Sequence, residues 1–160
     1  MAVADFDLIV VGAGQGGGPL AGAAAKAGKR VALVESKHVG GTCVNEGCTP
    51  TKTMVASARV AHLVRRAADY GVEVDEVGID QERIRSRKRD IVASFRKGSE
   101  SGLEQAGVKV VAGTGVFIGP RRLQVAEQGG AVRQLGAETV VINTGLVPRI
   151  PDIPGLDDVP

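Results

Sequence analysis

Two cysteines lie close together in the sequence, at a spacing that permits redox chemistry. Cys43 and Cys48 are the two cysteines of the chain, five positions apart. In a regular helix such residues have Cα atoms about 8.6 Å apart, whereas a disulfide needs roughly 4.4–6.8 Å. If these cysteines form a disulfide, the segment between them must therefore be distorted. Asn45, Gly47 and Pro50 are residues that would allow the distortion.

The residues after Cys48 place this cysteine at or near the start of a predicted helix. Pro50 has no N–H group and suits the first helical turn, and Thr49 before it is a candidate N-cap. Partial positive charge at a helix N-terminus favours a thiolate, which is the reactive form of cysteine. A zinc site would need His38 and His62 as further ligands, at a spacing typical of no zinc motif. A purely structural disulfide is uncommon in the cytoplasm, so redox chemistry is the favoured interpretation.

A glycine-rich loop could bind a dinucleotide. Gly12, Gly14 and Gly17 form a G-x-G-x-x-G pattern between a predicted strand and a predicted helix. Such glycines permit a tight turn, a close approach to a pyrophosphate and close helix–strand packing. Glu35 lies 18 residues beyond Gly17, at the end of the next predicted strand, where its carboxylate can accept both ribose hydroxyls. A glutamate there favours FAD or NAD over NADP at this loop.

The elements that must position these residues indicate an α/β fold. Apolar runs predict strands at 6–11 and 31–34 around a helix over 19–29, which gives a right-handed β-α-β unit. Longer helices are predicted over about 50–70, where Val60, Leu63 and Val64 recur at helical spacing, and over about 81–106. The rest predicts short strands separated by Gly or Gly-Pro turns, namely Val108–Ala112, Gly115–Ile118, Leu123–Ala126, Val132–Leu135 and Thr139–Asn143.

The second long helix carries a run of basic residues, which either binds an anion or forms a solvated face. The run comprises Arg83, Arg85, Arg87, Lys88, Arg89, Arg96 and Lys97. Glu82 and Asp90 interleave with it, which favours the solvated face.

Composition excludes several classes of protein. The 160 residues include 20 basic and 18 acidic ones, and the net charge of +2 with 3 Phe, 1 Tyr and no Trp argues against nucleic-acid binding. No apolar run approaches the ~20 residues of a membrane span. The start of the chain has no basic region of a signal peptide, so a cytoplasmic location is expected.

Taken in order, these motifs resemble the flavoprotein pyridine nucleotide-disulfide oxidoreductases, such as dihydrolipoamide dehydrogenase, glutathione reductase and mercuric reductase. The resemblance rests on the glycine loop, Glu35 and the segment 40–52, which reads G-G-T-C-V-N-E-G-C-T-P-T-K. Later stretches at 112–117, 140–145 and 153–155 also match. Thr49 and Thr51 depart from the usual aliphatic residue and serine, and they favour a mercuric-reductase-like member.

The resemblance implies a Rossmann-like FAD-binding domain over residues 1–145, with a parallel sheet, helices and a small antiparallel β-meander. Residues 146–160, which hold four prolines, would form a linker toward an NAD(P)-binding domain. The resemblance implies that Gly12, Gly14 and Gly17 bind the FAD pyrophosphate and that Glu35 binds the adenosine ribose. Gly41 and Thr42 would lie along the pyrophosphate and flavin. Thr114 and Gly115 would contact adenine, and Thr144 and Gly145 would line the FAD site. Lys52 would approach the flavin, Cys48 would lie beside its ring, and Cys43 would exchange with substrate.

The implied reaction passes electrons from NAD(P)H through FAD and the cysteine pair to a small disulfide or dithiol substrate, or to Hg(II), in a homodimer. The resemblance covers the first third of a family member, and no second G-x-G-x-x-G follows. We therefore expect the 160 residues alone to be inactive and to hold FAD weakly or not at all. Two other hypotheses stay open: a non-catalytic dinucleotide-binding module with incidental cysteines, and an NAD-dependent dehydrogenase without flavin.

Overall fold

The structure, a computed structural model, describes residues 4–159 as a sheet with helices packed on it. The strands are β1 (Ala4–Val11), β2 (Val31–Glu35), β3 (Lys109–Gly119), β4 (Arg122–Glu127) and β5 (Val132–Ile142). The helices are α1 (Gly17–Lys26), α2 (Gly41–Asn45), α3 (Cys48–Arg65) and α4 (Gln81–Gln105), with short 3-10 turns at Ala67–Tyr70 and Leu156–Asp158. Within the described residues, no helix combines the length and apolarity needed to cross a bilayer.

The strands pair in the closed order β1–β2–β3–β4–β5–β1. Strand β1 lies between β2 and β5, and β2 pairs with β3, all in parallel, whereas β4 is antiparallel to both of its neighbours. The predicted β-α-β unit is therefore confirmed. The helix α1 connects its two strands across one face of the sheet.

The expectation of separate short strands after residue 108 was wrong. The stretches predicted at 108–112 and 115–118 are one strand, β3, and those at 132–135 and 139–143 are one strand, β5. β3 pairs with β2 as far as Ala112 and with β4 from Gly113 onward. A Cβ at Gly113 would overlap the carbonyl oxygen of Ala126, so glycine allows the strand to change partners without a break. The meander is thus continuous with the parallel sheet.

The core lies on both faces of the sheet, because alternate residues of each strand point to opposite sides. Leu8 and Val10 pack with Ala21 of α1 and Leu103 of α4. Ile9 belongs to a second cluster on the other face, where β4 contributes Leu123 and Val125. Burial of each such aliphatic side chain stabilises the fold by about 1.5–3 kcal/mol, which fixes the carboxyl ends of the strands where the predicted site lies.

The first long helix differs in its limits from the prediction of 50–70. Helix α3 begins at Cys48 and ends at Arg65, and its N-cap is Gly47, without a side-chain cap. Thr49 therefore lies inside the first turn, and its expected role as N-cap was wrong. The apolar spacing predicted the helix but not its burial, since Val60 is 61% exposed and Leu63 is 50% exposed.

Candidate dinucleotide and dithiol site

The glycine loop lies at the carboxyl end of β1, and its first and third motif glycines, Gly12 and Gly17, are packed too tightly to carry a side chain. Gly12 has φ +103°, and a Cβ there would overlap the carbonyl oxygen of Asn143. A Cβ at Gly17 would overlap the carbonyl oxygen of Gly12 and lie 2.8 Å from Asn143 Nδ2. The two glycines thus have the roles in the turn and in helix–strand packing that the sequence predicts.

Glu35 ends β2 with its carboxylate held at the glycine loop. Its Oε2 accepts a hydrogen bond from Ala13 N at 2.8 Å, and its Oε1 accepts one from Lys37 N at 2.7 Å. Each oxygen has a second lone pair, so further donors can still be bound. A groove of about 650 Å³ begins at this side chain and continues along β3 past Val110 and Ala112. Glu35 therefore joins the end of β2 to the glycine loop.

The segment that carries the cysteines is joined directly to the glycine loop. Gly40 N donates to Ala13 O at 2.9 Å, and Gln15 Nε2 donates to Gly40 O at 3.2 Å. Gly41 has φ +58°, and a Cβ there would lie 2.7 Å from the Cα of Gly14. Gly14 and Gly41 can approach each other this closely because neither has a side chain. The two motifs, far apart in sequence, therefore form one site.

The predicted distortion between the cysteines is present as a break between two helices. Helix α2 ends at Asn45, and α3 begins at Cys48. Gly47 N donates to Thr42 O at 2.6 Å, and a Cβ at Gly47 would come within 3.1 Å of the same oxygen. Glycine thus allows the chain to turn back on α2. The break brings the two cysteines close enough for Cys48 to shift the pKa of Cys43.

The two thiols are unbonded, and their contact affects the acidity of Cys43. Cys43 is half-buried and Cys48 is exposed. The hydrogen bond with Cys48 raises the pKa of Cys43 above its usual range, and burial and the charge of Cys48 act in the same direction. The positive charge of Lys52, one helical turn beyond Cys48, opposes this rise. Lys52 therefore limits the rise in the pKa of Cys43 and does not reverse it.

Replacing Lys52 with methionine is expected to slow the alkylation of Cys43 by iodoacetamide at pH 8 about two- to threefold, the size expected for an exposed charge. Loss of the ammonium raises the pKa of Cys43 further, so less thiolate is present at this pH. Mass spectrometry of the Cys43 peptide measures the rate. Lys97→Met on α4 removes the same charge elsewhere, and equal slowing in both variants would contradict the assignment.

The remaining predicted residues lie after β5, in β3 and in α2. Thr144 follows β5, and its Cα is 3.2 Å from the position of a Cβ on Gly12. Gly145, next to it, has φ +77°. Thr114 and Gly115 lie in β3, just beyond Ala112, which is the register partner of Glu35. Thr42 is an exposed residue of α2.

The sequence did not point to Asn143, which is hydrogen-bonded to the end of β1 and to the glycine loop. Its backbone N donates to Val11 O at 2.7 Å, and its Nδ2 donates to Gly12 O at 3.4 Å. A signal existed, since Asn143 follows a parallel strand at the carboxyl edge of the sheet, where ligands bind in α/β folds. The side chain is half-buried and lies against the positions of Gly16 and Gly17.

The prediction that the basic run on α4 forms a solvated face holds for only part of the run. Arg85 and Arg89 do pair with Glu82 at the surface. Two other members of the run contact the cysteine-bearing segment instead. Arg87 donates to the carbonyl oxygen of Thr53 at 3.2 Å, and Arg96 donates to the side chain of Asn45 at 2.8 Å. Helix α4 therefore packs against the site through its arginines.

Comparison with known proteins identifies relatives that share almost the whole chain. The dihydrolipoyl dehydrogenase of Chlorobaculum parvum is 39% identical over 154 residues, which is 96% of this chain and 32% of the relative. Those of Acholeplasma laidlawii and Bacillus subtilis are 38% and 33% identical, over 96% and 88% of this chain and 45% and 31% of their own. The chain thus spans between about a third and a half of the curated relatives it matches.

A solved structure shares the fold as well as the sequence. The Cu(II) complex of the HOCl-induced flavoprotein disulfide reductase RclA from Escherichia coli superimposes with a TM-score of 0.81. It is 31% identical, and the match covers 99% of this chain and 32% of the reductase. The sequence profile described as pyridine nucleotide-disulphide oxidoreductase matches residues 6–159. This chain belongs to the pyridine nucleotide-disulphide oxidoreductases, a family of FAD-dependent enzymes that use NAD(P)H as electron donor.

Proposed function

We propose that this chain binds FAD along the carboxyl edge of its sheet and passes electrons from NAD(P)H to a small disulfide through Cys43 and Cys48. The observation that carries the proposal is the docking of the cysteine segment on the glycine loop, with Gly41 against Gly14. A dinucleotide whose pyrophosphate lies at this loop is therefore next to the helices that carry the two thiols. A module with incidental cysteines has no need of this arrangement.

The residues present fit FAD. Glycines at positions 12, 14 and 41 leave the backbone bare where a pyrophosphate would lie, and a Cβ at Gly12 or Gly41 would overlap or crowd backbone atoms. Glu35 offers a carboxylate at the loop for the adenosine ribose. Cys48 is the more exposed of the two thiols, which leaves one face of its sulfur open to a flavin ring.

Bound FAD would supply two-electron transfer between NAD(P)H and the sulfurs. Two electrons and two protons break the Cys43–Cys48 bond and leave two thiols. The Cys43 thiolate, whose pKa Cys48 and burial raise and Lys52 lowers, then attacks a substrate disulfide and releases one substrate thiol. Cys48 attacks the resulting mixed disulfide, releases the second thiol and restores the bond. The sum is NAD(P)H, H⁺ and a disulfide converted to NAD(P)⁺ and two thiols.

The substrate that we propose is a small disulfide of the lipoamide type, with the reverse oxidation of the dithiol as the same chemistry. The support is that the curated relatives are dihydrolipoyl dehydrogenases and that the structural neighbour is a disulfide reductase. Thr49 and Thr51, which favour a mercuric-reductase-like member, make Hg(II) the competing substrate. Oxidation of NAD(P)H by the enzyme that contains this chain, faster with Hg(II) than with lipoamide, would reverse the choice.

Glu35→Gln is expected to weaken FAD binding about tenfold. The amide has one acceptor oxygen and cannot hold Ala13 N, Lys37 N and the ribose together, and one lost hydrogen bond to a charged group costs about 1.5 kcal/mol. Quenching of flavin fluorescence on titrating the chain into FAD measures the affinity. Glu138→Gln on β5 is the control. Binding of NAD without FAD would instead support a dehydrogenase or a binding module.

A further inference from the structure

An arginine on α4 reaches the short helix that carries Cys43. Arg96 Nε donates to Asn45 Oδ1 at 2.8 Å, and this contact joins residues 51 positions apart. The amide nitrogen of Asn45 donates in turn to Gly41 O at 2.8 Å and to Val39 O at 3.1 Å. All three hydrogen bonds are partly buried. The side chain of Asn45 thus links α4 to the backbone that precedes Cys43.

This link matters because α2 is too short to be stable by itself. It has five residues, whereas isolated helices shorter than about 12 residues are marginal in water. Asn45 is the last residue of α2, and its side-chain nitrogen donates hydrogen bonds to Gly41, the first residue of the helix, and to Val39 in the turn before it. An amide can be rotated so that its oxygen and nitrogen exchange places. Arg96, a donor without any acceptor, permits only the orientation in which the nitrogen faces Val39 and Gly41.

We propose that Arg96 is a positioning residue that, through Asn45, holds Cys43 beside Cys48. The inference rests on the proposed redox function of the cysteine pair. Arg96 contacts Asn45, so its effect is on geometry: it restricts α2 to the arrangement in which the Cys43 side chain lies beside that of Cys48. The link is present while the two thiols are unbonded, so it keeps the two residues close in the dithiol and less conformational entropy is lost when the disulfide forms.

The test is the equilibrium between this disulfide and dithiothreitol in the 160-residue chain. The exchange converts the protein disulfide and reduced dithiothreitol into the protein dithiol and oxidised dithiothreitol, with two electrons transferred. Acid quenching, alkylation and mass spectrometry give the fraction of each form. We expect Arg96→Met to make the disulfide about tenfold easier to reduce, which equals a potential about 30 mV higher.

Matched variants separate positioning from a general loss of structure. Arg89→Met removes an arginine that pairs with Glu82 at the surface of the same helix, and it should leave the equilibrium unchanged. Asn45→Ala should reproduce the tenfold change, and the double variant with Arg96→Met should show no further change, because both belong to one linkage. Arg96→Lys keeps a charge and a donor but not the fixed planar geometry of arginine, so an intermediate effect is expected.

The experiment distinguishes failure of the proposed function from failure of this inference alone. If the wild-type chain forms no Cys43–Cys48 disulfide at any ratio of oxidised to reduced dithiothreitol, the proposed function is overturned and this inference with it. If the wild type forms the disulfide and Arg96→Met has the same equilibrium constant, the inference alone is overturned. Circular dichroism monitors folding, and if Arg96→Met does not fold, Arg96→Lys must show the shift or the inference is rejected.

Discussion

Replacing Gly17 with alanine is expected to destabilise the chain by about 3 kcal/mol or more and to abolish FAD binding. The added Cβ would overlap the carbonyl oxygen of Gly12 and crowd Asn143 Nδ2 and Val10 Cγ1, at 2.8 and 3.0 Å. Two of these neighbours are fixed, the first in backbone and the third in the core, so β1 and α1 must move apart. Urea unfolding followed by circular dichroism gives the free energy of unfolding.

Gly22→Ala is the matched control for this change. Gly22 lies in the interior of the same helix, and a Cβ there would meet nothing within 4 Å. Because alanine is the better helix former, this variant should be more stable than wild type by up to about 1 kcal/mol. If both variants were equally stable, the tight packing of the glycine loop against β1 would be refuted.

Replacing either cysteine with serine is expected to halve the electrons that the FAD-loaded chain takes up. FAD accepts two electrons and the Cys43–Cys48 disulfide accepts two more, so wild type should need four for complete reduction. Cys43→Ser and Cys48→Ser each leave the flavin as the only acceptor and should need two. Anaerobic titration with dithionite at a known FAD concentration, with two electrons subtracted for each FAD in excess of the chain and with thiol counting at the end point, measures this number.

These variants should otherwise resemble wild type. Cys43 is half-buried and Cys48 is exposed, and serine is close to cysteine in size, so the fold and the FAD affinity should change little. A titration that ends at two electrons in wild type would show that the thiols are not coupled as a disulfide. A serine variant that still takes four would show that the second acceptor is some other group.

Local chemistry explains why much of the site could be predicted from the sequence. Gly12 and Gly17 could be predicted from the local turn and from helix–strand packing, since Gly12 has φ +103° and a Cβ at Gly17 would overlap the carbonyl oxygen of Gly12. The break between the cysteines follows from their spacing and from Gly47, which lies between them. The β-α-β unit follows from two short apolar runs around an alanine-rich helix. Each of these signals is contained in a few neighbouring residues.

The features that could not be predicted depend on residues far apart in the chain. The sequence around Gly113 does not reveal that β3 continues through this residue. Glycine is needed there because of the nearby carbonyl oxygen of Ala126 on β4, which is distant in sequence. Asn143 contacts Gly12 across 131 positions. Arg96 belongs to a charge run whose acidic neighbours favoured a solvated face, and its contact with Asn45 depends on how α4 packs. Tertiary packing, which spacing and propensity do not encode, decides all three.

The central claim is that the sulfur of Cys48 meets the flavin, while that of Cys43 meets the substrate. Absorbance above 500 nm of the FAD-loaded single-cysteine variants, recorded without oxygen at about pH 8, tests it most directly, because a thiolate in contact with oxidised flavin gives a long-wavelength band. We predict this band in Cys43→Ser, where Cys48 remains, and its absence in Cys48→Ser. A band in Cys48→Ser alone, or in neither variant, would contradict the claim.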